Sequence, residues 1–108
     1  AIKVQTMDLI KMQDAAQKAS EVMKLLGHSD RLMILCELKA GEQSVGQLTE
    51  KIGISQSLVS QHLARMRYED VVETRREAQA VFYSLKSGPA AILIDTMYNI
   101  FCKDIEKS

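Results

Sequence analysis

Residues 44 to 69 have few options other than two short helices set close together in the chain. Ser44 is followed three residues later by Gln47, the spacing of a reciprocal cap in which each side chain bonds the other residue's backbone N–H. The apolar positions Val45, Leu48 and Ile52 then repeat at helical intervals. Gly53 breaks that helix, and Ser55 is placed to cap a second one over roughly residues 56–69. Two helices joined by a tight turn containing glycine form a helix-turn-helix pattern, although any pair of antiparallel helices could share it.

The next residues narrow the choice. Val71-Val72-Glu73-Thr74-Arg75-Arg76 and Ala80-Val81-Phe82-Tyr83-Ser84-Leu85 are rich in β-branched and aromatic residues, with Glu77-Ala78-Gln79 between them. They predict a two-stranded hairpin. A hairpin is not stable alone in water, so it must pack on the helices before it, in the position of a wing. A first helix over about 7–26 carries Met12, Ala15, Ala16, Ala19, Val22, Met23 and Leu26 on one stripe and stops at Gly27. Ser29 is then expected to cap a second helix over about 30–40, through Leu32, Leu35, Cys36 and Leu38 to Gly41. Ser87-Gly88-Pro89 opens a last helix to about residue 105, with proline suited to its first turn. The expected fold is mostly α with a small two-stranded β-hairpin, a winged helix-turn-helix of order ααααββα, in one domain spanning residues 1–108. The first and last helices, 7–26 and 89–105, are apolar over more than one narrow face. They are therefore expected to pair across a twofold axis as a homodimer; the alternative is a monomer with a sticky surface.

The fourth helix sorts its residues by face. Val59, Leu63 and Met66, with Leu58 beside them, are expected to pack inward, while Gln56, Ser57, Ser60 and Gln61 fall on the other side. Glutamine can pair bidentately with adenine, serine can contact either base type or a phosphate, and the amides at a helix start attract phosphate. These four residues are candidate contacts to double-stranded DNA; a merely solvated polar face is the alternative. Arg65 is a further candidate for phosphate, as are Arg75, Arg76 and Gln79 around the hairpin tip, although alternation puts the two wing arginines on opposite faces. Arg67 either reaches phosphate or pairs with Glu69 or Asp70. His62, between the two faces, reads better as a partly buried brace than as a ligand.

Charge argues mildly against this reading. Fourteen basic residues balance fourteen acidic ones, so binding to DNA must come from local patches. Nucleophile–base pairs, paired carboxylates and glycine-rich phosphate loops are missing, so no enzymatic activity is expected. The longest apolar run, Leu32 to Cys36, is too short for a membrane span, and the first residues do not read as an export signal. The expected location is the cytoplasm, with both cysteines as thiols. Cysteines and histidines at 28, 36, 62 and 102 show no zinc-like spacing, so no metal or other cofactor is expected. An adaptor for other proteins would carry apolar residues on the outer face of the fourth helix, where polar ones stand.

Ser29-Asp30-Arg31-Leu32-Met33-Ile34-Leu35, Ser44-Val45-Gly46-Gln47-Leu48 and Ser55 through Leu63 resemble the ArsR family of bacterial repressors, as do the hairpin segments 72–76 and 81–85. The resemblance covers most of the chain, and implies a homodimer built on the first and last helices that reads a pseudo-palindromic operator. Metal-sensing members carry a Cys-x-Cys where Ser44 and Gly46 stand here, and others use histidines on the last helix, which has none. A metal-responsive repressor is accordingly disfavoured. Cys36 and Cys102, with their flanking Ile34-Leu35 and Ile100-Phe101, resemble a thiol-switch subgroup. That resemblance implies a sequence-specific repressor released from its operator when reactive sulfur species or an oxidant joins the two thiols of one protomer. It also permits an activator that displaces a silencing protein. From the residues alone, with no local reason for acidic thiols, both cysteines read better as core filler than as a switch.

Overall fold

The computed structural model describes residues 2–106, with side chains from residue 8 to residue 105. Its elements are α1 (Ile2–Leu26), α2 (Ser29–Ala40), β1 (Gln43–Ser44), α3 (Val45–Ile52), α4 (Gln56–Tyr68), β2 (Val72–Glu77), β3 (Ala80–Leu85), α5 (Pro89–Phe101) and α6 (Lys103–Glu106). The strands form one antiparallel sheet of order β1-β3-β2. This is a winged helix-turn-helix, mostly helical as the sequence predicts.

The local signals around α3 and α4 act as expected. Ser44 Oγ accepts the Gln47 N–H at 3.2 Å, and Gln47 Oε1 accepts the Ser44 N–H at 2.9 Å. Ser55 Oγ accepts the Leu58 N–H at 3.1 Å. Gly53 ends α3 at φ 80°, a left-handed conformation that costs a residue with a Cβ about 1 kcal/mol or more. Other expectations need correcting. The cap of α2 is His28, whose ring Nδ1 accepts the Asp30 N–H at 3.2 Å, and Ser29 is already helical. The sheet has a third strand, because Gln43 and Ser44 pair with Tyr83 and Phe82; a two-residue strand is too short to leave a periodic signal. Glu77 pairs with Ala80, so the wing turns on Ala78 and Gln79 alone, with Ala78 at φ 56°. Leu58 is 43% exposed: it lies about 100° round the helix from Val59 and so leaves the buried stripe. The last helix breaks at Cys102, where the Ile105 N–H bonds back to the Cys102 carbonyl at 3.0 Å.

The core gathers one stripe from each helix: Leu25 and Leu26 of α1, Ile34, Leu35 and Leu38 of α2, Leu48 of α3, Val59, Leu63 and Met66 of α4, and Ala90 and Ile94 of α5. Val71 and Val72 close it beneath the sheet. Arg31 is buried among these elements. Its Nε–H donates to the Leu25 carbonyl and its Nη2 to the Lys24 carbonyl at 3.5 Å, so a side chain of α2 satisfies the unpaired end of α1. Burial is the first cause that pulls Arg31 below the ordinary guanidinium range, with Arg65 adding to it.

Leu63→Ala is expected to cost about 2–5 kcal/mol in denaturant unfolding, as lost transfer energy plus a cavity. Arg31→Met should cost about 1–3 kcal/mol by stranding the Leu25 carbonyl. A loss under half a kilocalorie for either would show that these contacts do not hold α1 and α4 to the core.

Candidate nucleic-acid interface and thiol pair

α4 lies against the core through Val59, Leu63 and Met66, none of which retains measurable exposure. Helical geometry then turns Ser57, Ser60 and Gln61 outward, Gln56 is uncovered in the first turn, and all four are exposed. Gln61 Nε2 donates to Ser57 Oγ at 3.4 Å, one helical turn away, so the two form a joined polar edge. Arg65 extends this face, but its Nε–H donates to Glu69 Oε2 at 3.3 Å. Arg67 is exposed and has no ion pair among the described residues; the expected pairing with Glu69 or Asp70 goes to Arg65 and Lys86 instead.

The two wing arginines differ in their partners. Arg75 stands opposite Phe82 on the neighbouring strand, with its guanidinium 5.0 Å from the ring centroid. It donates to both oxygens of Glu42, 33 residues away in sequence, and to Glu77 Oε2 at 2.8 Å. Its positive charge is thus answered by two carboxylates within the protein, and those hydrogen bonds hold its charged form in place. Arg76 faces the other way, is exposed, and has no ion pair among the described residues. Gln79 is exposed beside it at the tip. Below the wing, Lys86 Nζ donates to both oxygens of Asp70 at 2.7 Å, with Asp70 at φ 64° in the turn out of α4.

Behind the polar face, His62 is half-buried and its ring centroid lies 4.7 Å from that of His28. Burial first, then the charges of His28 and Arg31, push the His62 imidazole below its ordinary value. The fold therefore brings together two histidines that stand 34 positions apart in the sequence, with no local spacing to reveal them.

Cys36 of α2 and Cys102 at the end of α5 are both half-buried free thiols. Burial pushes the Cys36 thiol up, and the charge of Cys102 adds to that rise while Lys39 opposes it. The cavity beside Cys36 is lined by Lys39, Ala40 and Tyr98. Lys39 Nζ sits 3.9 Å from the centroid of the Tyr98 ring and 3.3 Å from Asp95 Oδ1, which fastens α2 to α5 at the level of the thiols.

A capped helix pair with an outward polar edge and a wing beside it defines a winged helix-turn-helix, DNA-binding regulator of transcription. The profile of the bacterial regulatory protein, arsR family, matches residues 28–74. The biofilm growth-associated repressor of Xylella fastidiosa is 43% identical over 91 residues, covering 84% of this chain and 80% of that one. The transcriptional activator HlyU of Vibrio cholerae is 39% identical over 102 residues, covering 94% of both. The solved structure of reduced HlyU from Vibrio cholerae superposes with a TM-score of 0.82 at 40% identity, over 86% of this chain and 98% of that one. The chain belongs to the ArsR family. It is a transcriptional regulator, not an enzyme, and no helix among the described residues is long and apolar enough to cross a membrane.

A raised Cys36 leaves little thiolate at neutral pH. Its alkylation should be slower than that of a free cysteine at pH 7 and still be rising above about pH 8.5, the value for a free thiol. Mass spectrometry of iodoacetamide-treated Cys102→Ser protein reads this, and a plateau near neutrality would contradict the assigned environment.

Proposed function

We propose that this protein is a homodimeric repressor that reads operator DNA with α4 and releases it when Cys36 and Cys102 of one protomer are joined. The observation that carries the DNA-binding part is the division of α4: a fully buried stripe of three residues turns Ser57, Ser60 and Gln61 outward, and Gln56 is exposed in the first turn. In this reading α4 enters the major groove while α3 crosses the backbone, and the wing 71–86 lies along the backbone through Arg76 and Gln79. Arg65 and Arg75 contribute less, because each already has a carboxylate partner.

Dimerisation follows from surface that one chain leaves uncovered. Leu9, Ile10 and Met12 on α1 are at least half exposed, as are Ile92, Ile100 and Phe101 on α5. A second copy set on α1 and α5 across a twofold axis covers these side chains and spaces two α4 helices for successive major grooves.

The thiol part rests on the charge of Cys102 acting on Cys36 and on the kinship with a repressor and with a regulator solved in a form described as reduced. Joining the thiols removes two protons and two electrons. Peroxide accepts them and leaves as water; an inorganic polysulfide can also donate sulfur to the bridge and leave as hydrosulfide. The bridge ties the dimerisation helix α5 to α2, which packs behind α4, and so alters the spacing of the two reading helices. A second reading, a regulator that activates by displacing a silencing protein, has the kinship with the activator HlyU in its favour. Promoter layout separates the two.

An operator selected from random duplexes provides the test. Gln61→Ala and Gln56→Ala are expected to weaken specific binding by about ten- to hundredfold and leave binding to unrelated DNA unchanged. Arg76→Ala should lower the slope of log affinity against log salt by about 1, and Arg75→Ala by clearly less. Equal binding of all four variants would remove α4 and the wing from the interface. For the switch, polysulfide or peroxide treatment should give a bridged monomer mass together with lost operator affinity, with no change of either in Cys36→Ser or Cys102→Ser. A bridge with undiminished affinity would separate the thiols from regulation.

A further inference from the structure

His28, Asp30 and His62 stand apart from both the reading face and the thiols. One ring nitrogen of each histidine and one Asp30 carboxylate oxygen lie within 4.8 Å of one another. His62 Nε2 and Asp30 Oδ2 are 3.9 Å apart. We propose that these three side chains form a site for a divalent transition-metal ion of the zinc, cobalt or nickel class, joining the start of α2 to the middle of α4.

The donor set decides the class of ion. Two imidazoles and one carboxylate suit borderline ions, which leave one or more positions for water; calcium and magnesium prefer all-oxygen sites, and copper(I) prefers sulfur. Bonds of about 2.0–2.2 Å set neighbouring donors roughly 3.3 Å apart, so the cluster must draw in by about 1.5 Å at most. His28 is exposed and able to make that movement, whereas half-buried His62 and Asp30 form the fixed side of the site. The Asp30 N–H to His28 Nδ1 hydrogen bond keeps the His28 ring at the start of α2; it is given up when an ion binds, because a neutral imidazole has a single acceptor nitrogen. The nearest cations do not block the position: Arg31 is engaged with the Leu25 and Lys24 carbonyls, and Arg65 with Glu69. An ion here fastens the reading helix to α2 from behind, without touching Gln56, Ser57, Ser60 or Gln61. The site is independent of the thiol bridge, and the two can be tested apart.

The experiment uses the untagged Cys36→Ser/Cys102→Ser protein, so that sulfur cannot compete. Cobalt(II) chloride is titrated while the visible ligand-field absorption is followed, and zinc chloride is then used to displace it. The expected result is one ion per protomer, a spectrum without sulfur charge-transfer bands, and a rise in Tm with added zinc. His28→Gln and Asp30→Asn, two changes outside the buried core, should each weaken binding by at least about tenfold while circular dichroism stays native. His62→Gln should do the same if it folds. Absence of cobalt absorption at millimolar ion, or binding that survives both His28→Gln and Asp30→Asn, would overturn the assignment.

Discussion

The burial of Val59, Leu63 and Met66 is the contact on which the rest of the molecule depends. Each side chain removed from water contributes about 1.5–3 kcal/mol, comparable in sum to much of the net stability of a small domain. The stripe leaves no rotational freedom to α4, and that loss of freedom fixes which residues the opposite face presents. A helix that could roll by even 50° would present Leu58 or Arg65 where Gln61 now stands. Leu48 of α3 and Leu35 of α2 complete the same packed layer, so the helix pair is held by its core and not by its turn.

Around that core the molecule solves a second problem, the attachment of a long helix that one chain can barely cover. Among the described residues of α1, only Val22, Leu25 and Leu26 pack inward. Arg31 completes the anchorage by closing the carbonyl end of α1 from inside α2, where burial makes its hydrogen bonds costly to lose. The exposed part of α1 among the described residues and the outer face of α5 are the surfaces that a second copy covers in the proposed dimer. α2 is the element that touches the others: it carries Cys36, clasps α5 through Lys39, caps α1 through Arg31 and backs α4 through Asp30.

Much of this was legible in the sequence, for a definite reason. The caps at Ser44 and Ser55 act within three residues, and apolar periodicity acts within two turns, so both are written locally. The order of elements, the buried stripe and the outward polar residues follow from them. The errors also have physical causes. A two-residue strand has no periodicity, so β1 was invisible. His28 took the cap in place of Ser29 because an imidazole nitrogen can accept the Asp30 N–H as a serine oxygen would. The apolar side chain of Leu58 predicts burial, but its angle on the helix sets it outside the core.

The sequence by itself determined which helices form, where they stop and which face of α4 is polar, because hydrogen-bonded caps and 3.6-residue repeats are properties of neighbouring residues. Only the tertiary structure decided how those faces are used. Glu42 and Arg75 meet across 33 positions, which ties up one wing arginine and leaves Arg76 free of ion pairs among the described residues. His28 and His62 meet across 34, and Cys36 and Cys102 come within electrostatic reach across 66. Such encounters depend on the angles at which helices pack, and those angles are set by the whole core at once, not by any short stretch of chain.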